Sequence, residues 1–243
     1  MESKLKIKKL PIFIGNKKVA YFYFDLNDRK AEKLSKPFIK GYKKLHSFFG
    51  VNPKKIIHLH FLYSLKEMSS YWGEAPPKSL SGMVDNNNQF ILYIYSPSVI
   101  EKFSSEKKSS IVPVIIHETA HTFVSAINLR CFYWINEGIC QLLEAPRAHD
   151  NIIKKENWQW FLKNKALSNP KLEWLGQIKH EGYKIAYNLT KYILKKYKKE
   201  AIIDLIKIRR ESSENIEEKM EKIFKSDLKT FLSDFEKNIK IIC

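Results

Sequence analysis

The sequence predicts an α+β fold, with a small N-terminal sheet and a helical C-terminal half. Three observations predict it. Short runs rich in aromatic and β-branched residues lie at 19–24, 56–63 and 89–95, as strands require. From Ser109 onward, apolar residues recur at helical spacing instead. Strands early and helices late favour α+β over alternating α/β. The 243 residues suit one large domain, 1–243, with 1–50 a candidate appended segment and 110–240 the helical core. Apolar residues make up 44% and charged residues 28%, which excludes disordered and fibrous classes. No fixed-period repeat occurs, which excludes solenoids.

Taken in order, Val19–Phe24 reads as a first strand, and Asp28 as the cap of a helix running to Phe49 and stopped by Gly50. Pro37 inside that segment is a candidate kink. Ile56–Tyr63 reads as a second strand, followed by a short helix opened by Ser64 and closed near Gly73. Pro76, Pro77, Gly82 and the run Asp85–Asn88 mark a turn-rich stretch, after which Gln89–Tyr95 reads as a third strand. Ser109 or Ser110 caps a helix with Pro113 in its first turn, continuing to Ile127. Further helices are expected over Asn136–Ala145, Asn151–Asn164 and Gly182–Tyr197. Amphipathic stripes from Ile202 to Phe235 predict two or three more.

The net charge of +17 raises the question of a nucleic-acid or anionic-membrane partner. Of the 43 basic residues only five are arginine, the side chain suited to bidentate reading of phosphates and base edges. Lysines spread over every segment read as a solvated surface, so nucleic acid is not the expected partner. Three cysteines in no recognisable framework argue against a disulfide-stapled domain. No run of 18 apolar residues occurs, so no membrane span is expected. Leu10–Ile14 is too short for a signal-peptide core, and the expected address is the cytoplasm.

The chemistry centres on His117-Glu118-Thr119-Ala120-His121. Positions i and i+4 share a helix face, so two imidazoles there can reach one metal ion. Glu118 is placed to act as general base on a water activated by that ion. Catalytic zinc takes three protein ligands and keeps an open position, so a third ligand is needed from elsewhere. Glu137 is the candidate, in Trp134-Ile135-Asn136-Glu137-Gly138, with 15 residues between it and His121. It falls in the first turn of the next predicted helix, which a hairpin can bring back against the histidines. His117, His121 and Glu137 form a His₂Glu set with one open position. Apolar neighbours Val114, Ile115, Ile116, Phe123 and Val124 predict a buried helix, where ionisable groups need a partner or a metal.

These residues resemble the gluzincin clan of zinc metallopeptidases, which carry His-Glu-x-x-His followed by a helix opening Asn-Glu-Gly. Trp134–Glu144 is similar to the clan's glutamate-bearing helix, and Tyr183–Tyr197 to its downstream tyrosine helix, with Ala186 where glycine is usual. The likeness covers residues 110–240 well and 55–100 loosely. It implies a zincin-like domain, one zinc ion, and hydrolysis of a peptide or protein substrate. Tyr183 is implied as stabiliser of the developing oxyanion. The run Ser81–Asn86 lacks the clan's amine-binding glutamate, so aminopeptidase specificity is not implied; the strand at 89–95 is a candidate edge for peptide pairing.

Gln141 and Glu144, one and two turns beyond Glu137, are candidates to brace a ligand imidazole. His180 is a weaker candidate beside Tyr183. His58 and His60 alternate along a strand and read as strand residues rather than ligands, and Trp158, Trp160 and Trp174 as core. Two alternatives stay open: a regulatory or self-inhibited gluzincin that cuts one dedicated partner, and a non-enzymatic basic module for nucleic acid.

Overall fold

A computed structural model describes residues 5–85, 87–144, 152–169, 181–211 and 215–242. The chain forms two compact units, residues 1–126 and 127–243.

The first unit is built on a five-stranded sheet of order β1-β2-β3-β5-β4. Strand β1 (Ile7–Ile14) pairs antiparallel with β2 (Lys17–Asp25) across a tight turn in which Gly15 takes the left-handed conformation, φ 58°. The sequence reading did not include β1. Its lysines and Pro11 mask the alternation, and an edge strand tolerates both. Strands β2, β3 (Ile57–Leu62) and β5 (Ile91–Tyr95) run parallel. A parallel pair needs a crossover, which is supplied between β2 and β3 by helices α1 (Arg29–Lys33) and α2 (Ser35–Phe49). Asp28 caps α1 as expected, accepting from the amides of Lys30 and Ala31. The single predicted helix is two, divided at Leu34, and Pro37 sits harmlessly in the first turn of α2. Helix α3 (Leu65–Trp72) opens with a full capping box, Ser64 and Glu67 each bonding the other's backbone N–H.

The stretch read as turns contains a short strand, β4 (Gly82–Val84), antiparallel to β5. This makes β4 the sheet edge, and the strand at 91–95 that was expected there is interior. After a short helix α4 (Ile100–Phe103) and a 3₁₀ turn, α5 (Ile111–Ile127) follows with Pro113 in its first turn. Residues 108–127 are long and apolar enough to cross a membrane by length and composition, and 56% of that window is buried within the protein.

One face of the sheet makes the core. Phe22, Phe24, Ile57, Leu59, Leu92 and Ile94 are fully buried there. Phe22 meets Phe38 of α2 edge-on, and Phe123 of α5 stacks on Phe49. Gly41 brings α2 against Ile116 of α5, where an added Cβ would stand 2.7 Å from the isoleucine Cγ1.

The second unit is mainly helical: α6 (Tyr133–Glu144), α7 (Lys155–Lys163), α8 (Gly182–Lys207, kinked at Lys198), α9 (Ile216–Phe224) and α10 (Leu228–Glu236). A parallel pair of three-residue strands, β6 (Ile152–Lys154) and β7 (Lys240–Ile242), accompanies them. The helix predicted over 151–164 is thus β6 followed by α7. Trp158 is core, stacked on Phe161 with its indole donating to Glu236. Tyr192, Phe224, Phe231 and Phe235 extend this aromatic cluster. Trp174 and His180 lie outside the described residues.

His60 gives the first unit a pH signature. Burial, then the neighbouring His58, lower its pKa from 6.5 to about 4. Above pH 6.5 neither the folded nor the unfolded state is protonated, and the stability is undiminished. Between pH 6.5 and about 4 the unfolded chain takes up a proton that the folded chain refuses, so stability falls as pH falls. After allowance for the ring's partial exposure the loss is about 1–2 kcal/mol. Thermal denaturation across this window is expected to show a shallower decline for His60→Phe than for wild type; parallel declines would remove His60 as the cause.

Candidate metal centre

Helix α5 presents its two histidines one turn apart. His117 is half-buried and His121 is 8% exposed. Their Nε2 atoms face each other at 3.2 Å, with the ring planes at 77°. Two nitrogens bound at about 2.0–2.1 Å on a tetrahedral ion stand about 3.3 Å apart. The imidazole pair therefore already has the spacing of two ligands on one ion. The helix around them is locally satisfied: Thr119 and Thr122 donate their hydroxyls back to the carbonyls of Ile115 and Thr119. Neither threonine competes for the imidazoles.

The carboxylate of Glu137 completes the group. One ligand atom each from His117, His121 and Glu137 all lie within 4.8 Å of one another. The widest separation this allows exceeds a tetrahedral edge, and rotation about the glutamate side-chain bonds spans the difference. A donor set of two imidazoles and one carboxylate is that of a divalent-metal site, and leaves a tetrahedral ion one open position. Cys131 and Cys140 are buried free thiols outside this group. Burial pushes the Cys131 thiol up to about 12, so it stays protonated and offers no thiolate.

Glu118 is 8% exposed, buried beside its histidine neighbours on α5. Its side chain borders β4. A Cβ added to Gly82 would stand 3.1 Å from Cγ of Glu118 and 3.0 Å from Cγ1 of Val114. Glycine at 82 thus lets the edge strand run close past the carboxylate, a role invisible in the sequence because Gly82 read as part of a turn.

Glu137 is the fifth residue of α6, not in its first turn, because the helix begins at Tyr133 rather than Asn136. Contacts at both ends of that turn fix its position. Before the helix, the Asn128 amide donates to the carbonyls of Ile206 and Ile208, and Arg210 N–H donates to the Arg130 carbonyl at 2.9 Å. The Arg210 guanidinium lies over the Tyr133 ring at 4.3 Å. Beyond it, α6 packs on α8 at Gly138. A Cβ there would stand 2.2 Å from Oγ1 of Thr190 and 2.4 Å from the carbonyl oxygen of Ala186. No side chain fits, so the residue after Glu137 must be glycine for these helices to touch.

Gln141 and Glu144 are both 6% exposed. The Oε1 of Gln141 has no hydrogen-bond partner among the described residues, and the Glu144 charge bears on Tyr187 of α8. Tyr187 is raised above the usual tyrosine value by burial first and Glu144 second. Tyr183, the second residue of α8, is 38% exposed, unlike the buried Glu118, Gln141 and Glu144. His58 and His60 lie on the sheet, and the metal-capable group does not include them. Sequence reasoning missed Gly82, Ala186 and Thr190 as positioning residues. The small residues Ala186 and Thr190, spaced one helical turn apart, were the available signal for a close helix approach.

No family model matches the chain, and no curated protein matches it at a significant level.

Gly138→Ala is expected to lower stability by about 1–3 kcal/mol and to weaken metal binding, because overpacking pushes α6 off α8. Adding Thr190→Ala does not restore either, since the Ala186 carbonyl still occupies the space. Urea unfolding and metal titration read both effects; a Gly138→Ala protein as stable as wild type would refute the close crossing.

Proposed function

We propose that this chain is a zinc-dependent peptidase of the gluzincin type. The observation that carries the reading is the His117–His121–Glu137 group, with Glu118 next to a ligand on the same buried helix. In this reading His117, His121 and Glu137 hold the ion. Bound zinc would supply Lewis acidity, lowering the pKa of water towards neutrality and polarising a carbonyl.

The chain's own residues do the rest. Glu118 accepts the proton of the attacking water at its carboxylate and returns it to the leaving amine nitrogen. Its burial keeps competing water away and strengthens its interaction with nearby charge. A peptide laid along the outer edge of β4 pairs with that strand's backbone and so passes Glu118, the carboxylate that Gly82 leaves room for. Tyr183 donates its hydroxyl to the oxygen on which charge develops. Gln141 and Glu144, buried on the same helix as Glu137, are the groups available to brace ligand side chains.

Two substitutions separate the roles. Glu118→Gln is expected to retain about one zinc per chain by metal analysis and to lose cleavage of a mixed peptide library by about 10²–10⁴-fold. Glu137→Ala is expected to lose zinc and activity together. A wild-type protein that holds zinc but cleaves no peptide would overturn the peptidase reading, as would Glu118→Gln cleaving like wild type.

A further inference from the structure

The face of the first unit's sheet opposite the core is not an ordinary solvated surface. Strand register places two rows of side chains across it. Lys9, Tyr23, His60 and Tyr93 form one row, and Pro11, Tyr21, His58 and Ile91 the other. Tyr23 stacks on His60 with centroids 4.2 Å apart and planes 4° from parallel, and Tyr23 also lies parallel to His58 at 5.7 Å. Tyr71 of α3 stacks on Tyr93 at 3.7 Å, and Asp85 lies beside that tyrosine at the end of the first row. Tyr21, Tyr23, His58 and His60 are half-buried, so their rings are held in place by neighbours while part of each ring meets solvent.

Cations frame the rings. The Lys9 ammonium lies 4.1 Å from the Tyr21 ring centroid, and Lys18 lies 4.7 Å from the same ring. Lys18 reaches this face through an irregularity. The β1–β2 register shifts between Ile12 and Phe13, so that Val19 and Ala20 are both buried and Lys18 comes up opposite the exposed Phe13. A bulge of this kind re-aims one side chain, and here it adds a cation to an aromatic platform.

We propose that this face binds single-stranded nucleic acid, with bases stacking on Tyr21, Tyr23 and His58 and with Lys9 and Lys18 against the phosphates. The chemistry favours this occupant over an acidic polypeptide. Carboxylates would use the lysines alone, whereas a nucleotide supplies an anion for the lysines and a π surface for the solvent-facing parts of the rings within one unit. Scarcity of arginine bears against bidentate reading of base edges, not against stacking, so sequence-tolerant binding to unpaired bases fits the composition as well as the fold. A duplex hides its base faces and is expected to bind worse. The net charge of +17 adds a long-range attraction that any polyanion shares, and the controls remove it from the comparison. The proposal does not rest on the peptidase reading.

The test is fluorescence anisotropy with the full chain and a labelled oligothymidylate about 12 nucleotides long, at two salt concentrations. Wild type is expected to bind it at least about tenfold tighter than the matching duplex, with or without chelator. Tyr21→Ala with Tyr23→Ala is expected to weaken binding by about tenfold or more. Lys9→Glu with Lys18→Glu, changes that keep the rings, is expected to do so in a fold checked by circular dichroism. Lys195→Glu with Lys222→Glu alters the net charge equally in the second unit and is expected to cost much less. Equal loss in the control pair, equal affinity for duplex, or displacement of the oligonucleotide by polyglutamate as readily as by unlabelled strand would each overturn the proposal.

Discussion

Two imidazole nitrogens held 3.2 Å apart on a largely buried helix are the constraint from which the rest of the site follows. At this distance the two nitrogens can share one N–H···N hydrogen bond when both rings are neutral, or turn both lone pairs to one cation. The carboxylate of Glu137 gives the group one anionic ligand, which suits a divalent ion better than a third imidazole, and Glu118 lies outside the ligand set although it is next in sequence to His117. Helical geometry explains that division, since residues 117 and 121 share a face and residue 118 is turned about 100° away from it.

Two close glycine contacts bear on where the carboxylates stand. At Gly138 the space for a side chain is filled by the Ala186 carbonyl and the Thr190 hydroxyl, so the register of α6 on α8, and with it the place of Glu137, is set by a contact that tolerates no substituent. At Gly82 the same device works in the first unit, where the edge strand β4 approaches Glu118 and Val114. Close-packed interiors transmit small displacements rather than absorbing them. Each contact holds its own carboxylate to a narrow place within its unit.

The sequence made the His117–His121–Glu137 group legible because the histidine spacing is tied to a helical period and ionisable side chains are rare on a buried helix. The α+β layout was legible for the same reason, with the β-branched runs and helical stripes falling where β2, β3, β5 and α5 lie. What escaped was set by tertiary context. Strand β1 carries two adjacent lysines and a proline, which its unpaired edge tolerates, and β4 is three residues long, shorter than any periodicity can reveal. The break at Leu34 and the early start of α6 at Tyr133 are boundary effects, the least predictable part of any helix. The pairing of Gly138 with Ala186 and Thr190 could not be read without knowing that their helices touch. The aromatic face was half visible: His58 and His60 declared a common side, but only strand register aligned them with Tyr21, Tyr23 and Lys9.

The two sheet faces divide the labour of the first unit. One is filled with phenylalanine and aliphatic side chains and carries α5, and the other is left to stacked rings and lysines. The metal group is the claim on which the functional account stands, and X-ray absorption at the zinc edge of the purified, metal-loaded protein tests it most directly. Two histidine nitrogens and oxygen scatterers at about 2.0–2.1 Å, with the imidazole signal lost in His121→Ala, are the expected result. A sulfur shell at about 2.3 Å, or a spectrum unchanged when His121 is removed, would place the ion elsewhere and contradict the account.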